Sequence, residues 1–215
     1  GHGSPMNAIE ENQFVRGFRE ISKKIPTPNA ILCISAHWYT KGTYVTSGEM
    51  QKTIHDFYGF PQELFEVEYP AKGNPKLAKE TAELLAPTSV IETDSWGLDH
   101  GAWSVIKHLY PAANIPVIQM SIDYTQAAQY HFDLAKKLQK LREKGILIIG
   151  SGNVVHNLRM IDWKNINTVG AGWDWAIEAR AKTNEWILDG NFQNLIHFEK
   201  QGTALQNAIP TPDHY

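Results

Sequence analysis

Three histidines of this 215-residue sequence lie in a predicted turn or directly after a predicted strand. His2 lies between two glycines in GHGSP, His37 follows the apolar run AILCIS, and His156 follows the run ILIIG. The carboxyl ends of parallel strands meet at the edge of the sheet where α/β proteins place their ligands. Neutral imidazoles bind zinc, iron and similar divalent ions. If a strand precedes His2, the three histidines converge and predict a metal site, whereas a single histidine at a strand end is more often a hydrogen-bonded structural residue.

Two further motifs carry residues that could act beside such a metal. In WGLDHGAW, Asp99 is placed to cap a helix, and His100 either projects into the crevice or stays exposed beside the cap. In IHDFYGFP, His55 and Phe57 belong to an aromatic loop that could wall a substrate or simply pack on the sheet. His214 in the closing PTPDHY has no evident role from spacing alone.

Short apolar runs alternate with amphipathic stretches, and this pattern is typical of βαβ units. We therefore expect an α/β fold: a single domain with a central, mostly parallel sheet flanked by helices, and a metal site at the carboxyl ends of the strands. The predicted strands are 30–35, 89–91, 115–121 and 146–149, and the predicted helices are 13–24, 76–85, 101–109, 127–144 and 173–188.

Composition narrows the choice of partner. The net charge is −3 with acidic and basic residues mixed along the chain, so we expect neither a nucleic acid nor a membrane partner, but a small molecule. Cys33, the single cysteine, lies in an apolar run and is predicted to be a buried structural thiol, which fits a cytoplasmic protein. The sequence contains no Gly-rich phosphate loop, no nucleophile elbow and no HExxH motif.

Six motifs in order resemble the class III extradiol ring-cleavage dioxygenases, and most closely their DOPA 4,5-dioxygenase subgroup. They are GHGSPMNAIEEN, SAHW, TIHDFYGFP, WGLDHGAWSVI, SGNVVHNLR and PTPDHY. The resemblance spans nearly the whole chain and implies one catalytic domain over residues 1–215. It also implies that an N-terminal strand and a C-terminal segment of the family lie outside this sequence.

The resemblance assigns roles to individual residues. It implies that His2, His37 and His214 bind the metal, while His156 is either a further ligand or the acid/base beside it. His100 matches a family residue near the oxygen and substrate pocket, and we favour His156 as the base. Trp38, His55 and Phe57 are candidates for lining the ring pocket, although they are equally suited to the core.

The implied reaction is ring cleavage of a catechol-type, DOPA-like aromatic by O2 to a muconic semialdehyde. It needs one divalent metal ion per chain, Fe(II) for activity or Zn(II) as the bound ion, because imidazoles accept both. Two alternatives stay open from the residues alone: a zinc-dependent hydrolase, and a non-enzymatic module that binds a metal and an aromatic ligand. The sequence leaves open whether the protein is a monomer or a homodimer.

Overall fold

A computed structural model describes residues 1–166 and 168–215 of the chain. The chain divides into two compact units. The N-terminal unit is His2–Gly152, and the C-terminal unit is Asn153–Tyr215, with which Gly1 is grouped. The single catalytic domain over residues 1–215 stays a prediction.

The N-terminal unit is built on a five-stranded sheet of order β3-β2-β4-β1-β5. The central strand β1 pairs in parallel with β4 and β5, and β2 pairs in parallel with β3, while β2 and β4 are antiparallel. The predicted mostly parallel sheet is thus confirmed. The strands are β1 Ala30–Thr40, β2 Thr43–Thr46, β3 Val90–Thr93, β4 Val117–Asp123 and β5 Ile146–Ser151.

Alternation along β1 divides the core between the two faces of the sheet. Ile31 and Cys33 are fully buried in one cluster, with Val117 of β4 and Trp103, whereas Leu32 packs on the other face. A strand buried on both faces needs a continuous apolar run, which is what AILCI provides. Burial raises the pKa of the Cys33 thiol well above its usual value, in line with the predicted structural role.

Helices cover both faces of this sheet, and three of them begin after a residue whose side chain accepts a first-turn backbone N–H. Asn12, Asn74 and Asp99 each accept a hydrogen bond from the helix that follows. The helices of this unit are α1 Gln13–Lys24, α2 Gln62–Phe65, α3 Pro75–Leu84, α4 His100–Leu109 and α5 Ala128–Arg142, with a 3-10 turn at Pro5–Ala8.

The C-terminal unit is helical and has its own apolar core. Trp186, Phe198 and Leu205 are central members of this core and are buried. The helices are α6 Asp174–Leu188, α7 Phe192–Ile196 and α8 Thr203–Ala208, and 3-10 turns lie at Leu158–Met160, Trp163–Asn165, Phe198–Lys200 and Pro212–His214. Among the helices of the described residues, none is both long and apolar enough to cross a bilayer.

Two expectations about the strands were wrong in detail. Strand β1 continues to Thr40, five residues beyond its predicted end, so His37 lies inside the strand and not after it. Polar and aromatic residues after Ser35 hid this continuation, because the prediction followed the apolar run alone. Strand β2 was missed for a related reason: it is four residues long and includes two threonines.

Candidate metal centre

His2 and His37 meet at one side of the sheet in the N-terminal unit. Their Nε2 atoms are 3.2 Å apart, and their ring centroids are 5.0 Å apart. His37 is carried by β1, and His2 precedes the turn at Pro5–Ala8, where the Asn7 side-chain amide donates to the His2 carbonyl at 2.9 Å. His2 is 2% exposed, so its ring is held in a nearly dry position.

The hydrogen bonds of Ser151 determine the tautomer of His2. The Ser151 hydroxyl, at the end of β5, donates to the Gly101 carbonyl at 2.5 Å, and it lies 3.0 Å from His2 Nδ1. A hydroxyl has one proton and a carbonyl can only accept, so His2 Nδ1 must be the donor to Ser151. Neutral His2 therefore carries its proton on Nδ1 and presents the lone pair of Nε2 towards His37.

Asp56 lies beside the rings of His37 and His100 and faces the Nδ1 atom of each. Its Oδ2 is 3.4 Å from His37 Nδ1 and 3.0 Å from His100 Nδ1, while its Oδ1 accepts the backbone N–H of His100 at 2.8 Å. Burial opposes ionisation of this carboxyl, but the hydrogen bonds and positive charge of His100, together with His37, lower its pKa overall. Asp56 is consequently a carboxylate near neutral pH.

The arrangement of His2 and His37 fits a divalent metal ion. His2 Nε2 carries a lone pair and lies 3.2 Å from His37 Nε2, so the two nitrogens either share a proton in a hydrogen bond or bind one cation between them. Two imidazole nitrogens bound to one tetrahedral ion at about 2.0–2.1 Å are about 3.3 Å apart. His37, Asp56 and His100 also form a group whose ligand atoms are within reach of one ion.

Gly101 has no side chain, and this absence makes room for the rings of His2 and His37. A Cβ at this position would lie 2.5 Å from Ser35 Oγ, 2.9 Å from His37 Cδ2 and 3.2 Å from His2 Nδ1. Only glycine allows the first turn of α4 to approach both rings this closely. The glycine of the DHG motif is thus a packing requirement of the candidate centre.

Beneath the histidines, Asp99 joins α4 to two strands of the sheet. It accepts hydrogen bonds from the Ser35 hydroxyl at 2.6 Å, from the Ala102 backbone N–H at 3.1 Å and from the side-chain amide of Gln119. Burial raises the pKa of Asp99 to about 6, the nearby charge of Asp56 adds to the rise, and the hydrogen bonds oppose it. Asp99 therefore caps α4, as predicted, and also connects this helix to β1 and β4 through buried hydrogen bonds.

The C-terminal unit brings His156 and His214 together. Their rings stack with centroids 3.4 Å apart at an interplanar angle of 11°, and these two histidines form a possible ligand group with Asp213. The backbone N–H of His156 donates to the Ala208 carbonyl at 2.8 Å. Burial lowers the pKa of His156, while the charge of Asp213 opposes the shift, so the ring is mainly neutral at pH 7.

His156 also borders a cavity of about 250 Å³ within this unit. Apolar side chains dominate its wall, and the carboxylate of Asp162 and the amide of Asn157 are among its polar groups. The larger apolar lining residues include Leu158, Met160, Ile161, Trp173 and Trp175.

Comparison with known proteins gives the family. A family model described as the catalytic LigB subunit of aromatic ring-opening dioxygenase matches residues 2–209. The chain belongs to this family. The predicted class III extradiol membership and enzymatic, ring-cleaving character are confirmed by this match and by the relatives.

Two relatives carry the name 4,5-DOPA dioxygenase extradiol. The protein from Escherichia coli K12 is 44% identical over 218 residues, which cover 100% of this chain and 79% of that protein. The protein from Beta vulgaris is 35% identical and is matched over 100% of this chain and 81% of its own length. A crystal structure of an uncharacterized protein from Escherichia coli K12 has a TM-score of 0.79 and 36% identity, covering 99% of this chain and 82% of that one.

The LigB-family fold places the three predicted substrate residues in packed surroundings. Trp38 is 6% exposed and stacks on Trp96 with ring centroids 5.7 Å apart, which favours the core role. His55 Nε2 bonds the Val67 carbonyl at 2.9 Å, so this ring too is engaged in packing. Phe57 touches the ring of His100 edge-on at 5.6 Å, and of the three it retains the most direct relation to the candidate centre.

Sequence reasoning missed the residues that orient the histidines. Asp56 follows His55 in the aromatic loop, and Ser151 opens the SGNVVHN motif, but neither was singled out. Asn7 was missed as well, although it supports the His2 carbonyl and its own carbonyl is 2.7 Å from His108 Nε2. Their positions inside the six motifs were the only available signal, because these contacts join residues far apart in the chain.

Proposed function

We propose that this extradiol dioxygenase cleaves the ring of a catechol-type, DOPA-like aromatic beside its diol, using one divalent metal ion and O2. One C–C bond of the ring breaks and both oxygen atoms enter the product, a muconic semialdehyde, so no external reductant is needed. Fe(II) is proposed for turnover, and Zn(II) as an ion that the same imidazoles also hold.

The observation that carries the proposal is the 3.2 Å approach of the Nε2 atoms of His2 and His37. Hydrogen bonding of His2 Nδ1 by Ser151, and the carboxylate of Asp56 beside His37 Nδ1, support both Nε2 atoms as ligands. The PTPDHY motif supports His214 as a further ligand. When bound, the metal supplies adjacent coordination positions at which the diol and O2 meet in one geometry.

The remaining roles are proposed for groups of the chain itself. His156, whose pKa is lowered by burial, accepts a catechol proton and later returns it; its role as an additional ligand is the alternative. His100, held by Asp56, positions substrate or oxygen. Phe57 contacts the His100 ring and is proposed to line the ring pocket, with Trp38 and His55 supporting it from the core.

The test is anaerobic reconstitution of the metal-free protein with Fe(II) or Zn(II), followed by O2 and a panel of catechols that includes DOPA. Oxygen uptake and a yellow product with Fe(II), both lost in His37→Ala, are the expected results. Product formation is followed in the visible range and its mass compared with that of substrate plus O2.

Other outcomes would contradict the proposal. Absence of oxygen uptake with every catechol overturns the substrate class, and ester or amide hydrolysis with Zn(II) alone would point to a metal-bound water instead. Catechol binding without turnover in the Fe(II) protein would indicate a binding module. Oxygen uptake that is unchanged by His37→Ala would remove this residue from the metal site.

A further inference from the structure

We infer that Asp56 is a positioning residue that holds both His37 and His100 in the tautomer with the proton on Nδ1. This role rests on the proposed function, because it concerns the histidines assigned to the metal and the substrate. Asp56 belongs to the aromatic HDFYGFP loop, so this loop would orient the histidines in addition to lining a pocket. Asp56 itself touches neither metal nor substrate in this role.

The position of the carboxylate is fixed from the backbone. Asp56 Oδ1 accepts the N–H of His100, which is the first residue of α4, at 2.8 Å. Backbone N–H groups at the start of a helix have no partner within the helix and favour a negative charge. This anchor leaves Oδ2 pointing to the two rings.

Both imidazoles converge on that single oxygen. The distances from Oδ2 are 3.0 Å to His100 Nδ1 and 3.4 Å to His37 Nδ1, and the ring centroids of the two histidines are 3.9 Å apart. A carboxylate oxygen can accept two N–H groups but can donate none. The negative charge beside both Nδ1 atoms therefore favours a proton there on each neutral ring, which leaves the lone pair on Nε2.

This choice of tautomer matters differently for the two histidines. For His37 it makes Nε2, the atom 3.2 Å from His2 Nε2, available as a metal ligand. For His100 it makes neutral Nε2 an acceptor, not a donor, towards anything bound near it. One carboxylate thus links a ligand of the metal to a residue proposed to position the substrate, and its loss is expected to affect both.

Asp56→Asn is the informative variant because it keeps the size and removes the charge. If its amide NH2 faces the rings, both Nδ1 atoms must become acceptors and the protons move to Nε2, where they block metal binding. If its oxygen faces the rings, the NH2 group meets the His100 N–H, and two donors oppose each other. Either orientation weakens Zn(II) binding, by about 10- to 100-fold for loss of such a partner.

The experiment measures Zn(II) affinity of the metal-free, full chain by competition with a chelator, in wild type, Asp56→Asn and Asp133→Asn. Asp133 is an exposed carboxylate on α5, with 55% of its side chain accessible, and its replacement controls for the loss of one charge. We expect a 10- to 100-fold weaker affinity in Asp56→Asn and a change within twofold in Asp133→Asn. Equal affinity in wild type and Asp56→Asn overturns the inference, whereas no Zn(II) or Fe(II) binding by wild type means that the proposed function itself has failed.

A second measurement needs no folded variant of Asp56. Nitrogen-15 NMR of histidine-labelled, metal-free wild type at about pH 8 reports the tautomer of the His100 ring, with its peaks assigned through His100→Gln. His100 is expected to carry its proton on Nδ1. A proton on Nε2 of His100 contradicts the role of Asp56, whatever the metal affinity.

Discussion

Ser151 determines which nitrogen of His2 faces His37. Its hydroxyl donates its only proton to the Gly101 carbonyl at 2.5 Å. His2 Nδ1, which is 3.0 Å from the same oxygen, must therefore be the donor of the second hydrogen bond. Two residues 149 positions apart in sequence therefore fix one protonation site. The hydroxyl connects β5, α4 and the N-terminal segment at a single point.

Ser151→Ala is expected to weaken Zn(II) binding about tenfold, because His2 loses the acceptor that orients its ring and selects its tautomer. The affinity is measured by chelator competition on the metal-free protein. Ser104→Ala is the matched control: the Ser104 hydroxyl is buried in α4 and has no hydrogen-bond partner among the described residues. An equal loss of affinity in both variants would mean that serine burial, and not the contact with His2, is responsible.

Gly101→Ala is expected to abolish metal binding while leaving a folded protein. The added Cβ would stand 2.5 Å from Ser35 Oγ and 2.9 Å from His37 Cδ2, so the ring of His37 or the start of α4 must shift. Metal ligands tolerate such displacement poorly because coordination requires distances within about 0.2 Å. Zn(II) affinity and the circular dichroism of the helices are the two readouts.

Gly17→Ala provides the control for that substitution. Gly17 lies in α1, and a Cβ there would meet nothing within 4 Å. We expect unchanged metal binding and a stabilisation of about 0.5–1 kcal/mol, because alanine is the better helix former. Retention of full Zn(II) affinity in Gly101→Ala would show that the close approach of α4 to the rings is not needed.

The sequence singled out the candidate histidines but not the residues that hold them. The apolar run from Ala30 gave the central strand and Asp99 gave the start of α4, since both depend on local pattern. The contacts of Ser151 with His2 and of Asp56 with His37 join distant segments, and no local periodicity encodes them. The charge of a residue can be read from the sequence, but its hydrogen-bond partner depends on the packed fold.

Asp99 is expected to make stability depend on pH in the acid range. Its pKa is raised from 3.8 to about 6 by burial, so the native state retains a proton that the unfolded state has lost. Stability contributed by this proton is complete below pH 3.8, falls as the pH rises through about 6, and is lost above about pH 7. The whole effect corresponds to about 3 kcal/mol.

Comparison with Asp99→Asn separates this effect from all other titrations. The free energy of unfolding of each metal-free protein is measured by urea denaturation between pH 4 and pH 7.5. We expect the value for wild type minus that for the variant to decrease by about 2.4 kcal/mol across this range. A difference that stays flat, or that increases with pH, would show that Asp99 is ionised in the native state throughout.

His156→Gln is expected to lower kcat at least 100-fold while changing Zn(II) affinity less than threefold, because a neutral histidine acting as a base moves a proton without holding the ion. Burial lowers the pKa of His156 below its usual value of 6.5, so the ring becomes protonated and inactive only at lower pH. The acid limb of kcat/KM in wild type is therefore expected below pH 6.5.

His197→Gln replaces an exposed histidine of the same unit and should leave both kcat and Zn(II) affinity unchanged. Loss of Zn(II) affinity in step with kcat would assign His156 to the metal as a ligand, since a base that does not coordinate the ion has no reason to change its binding.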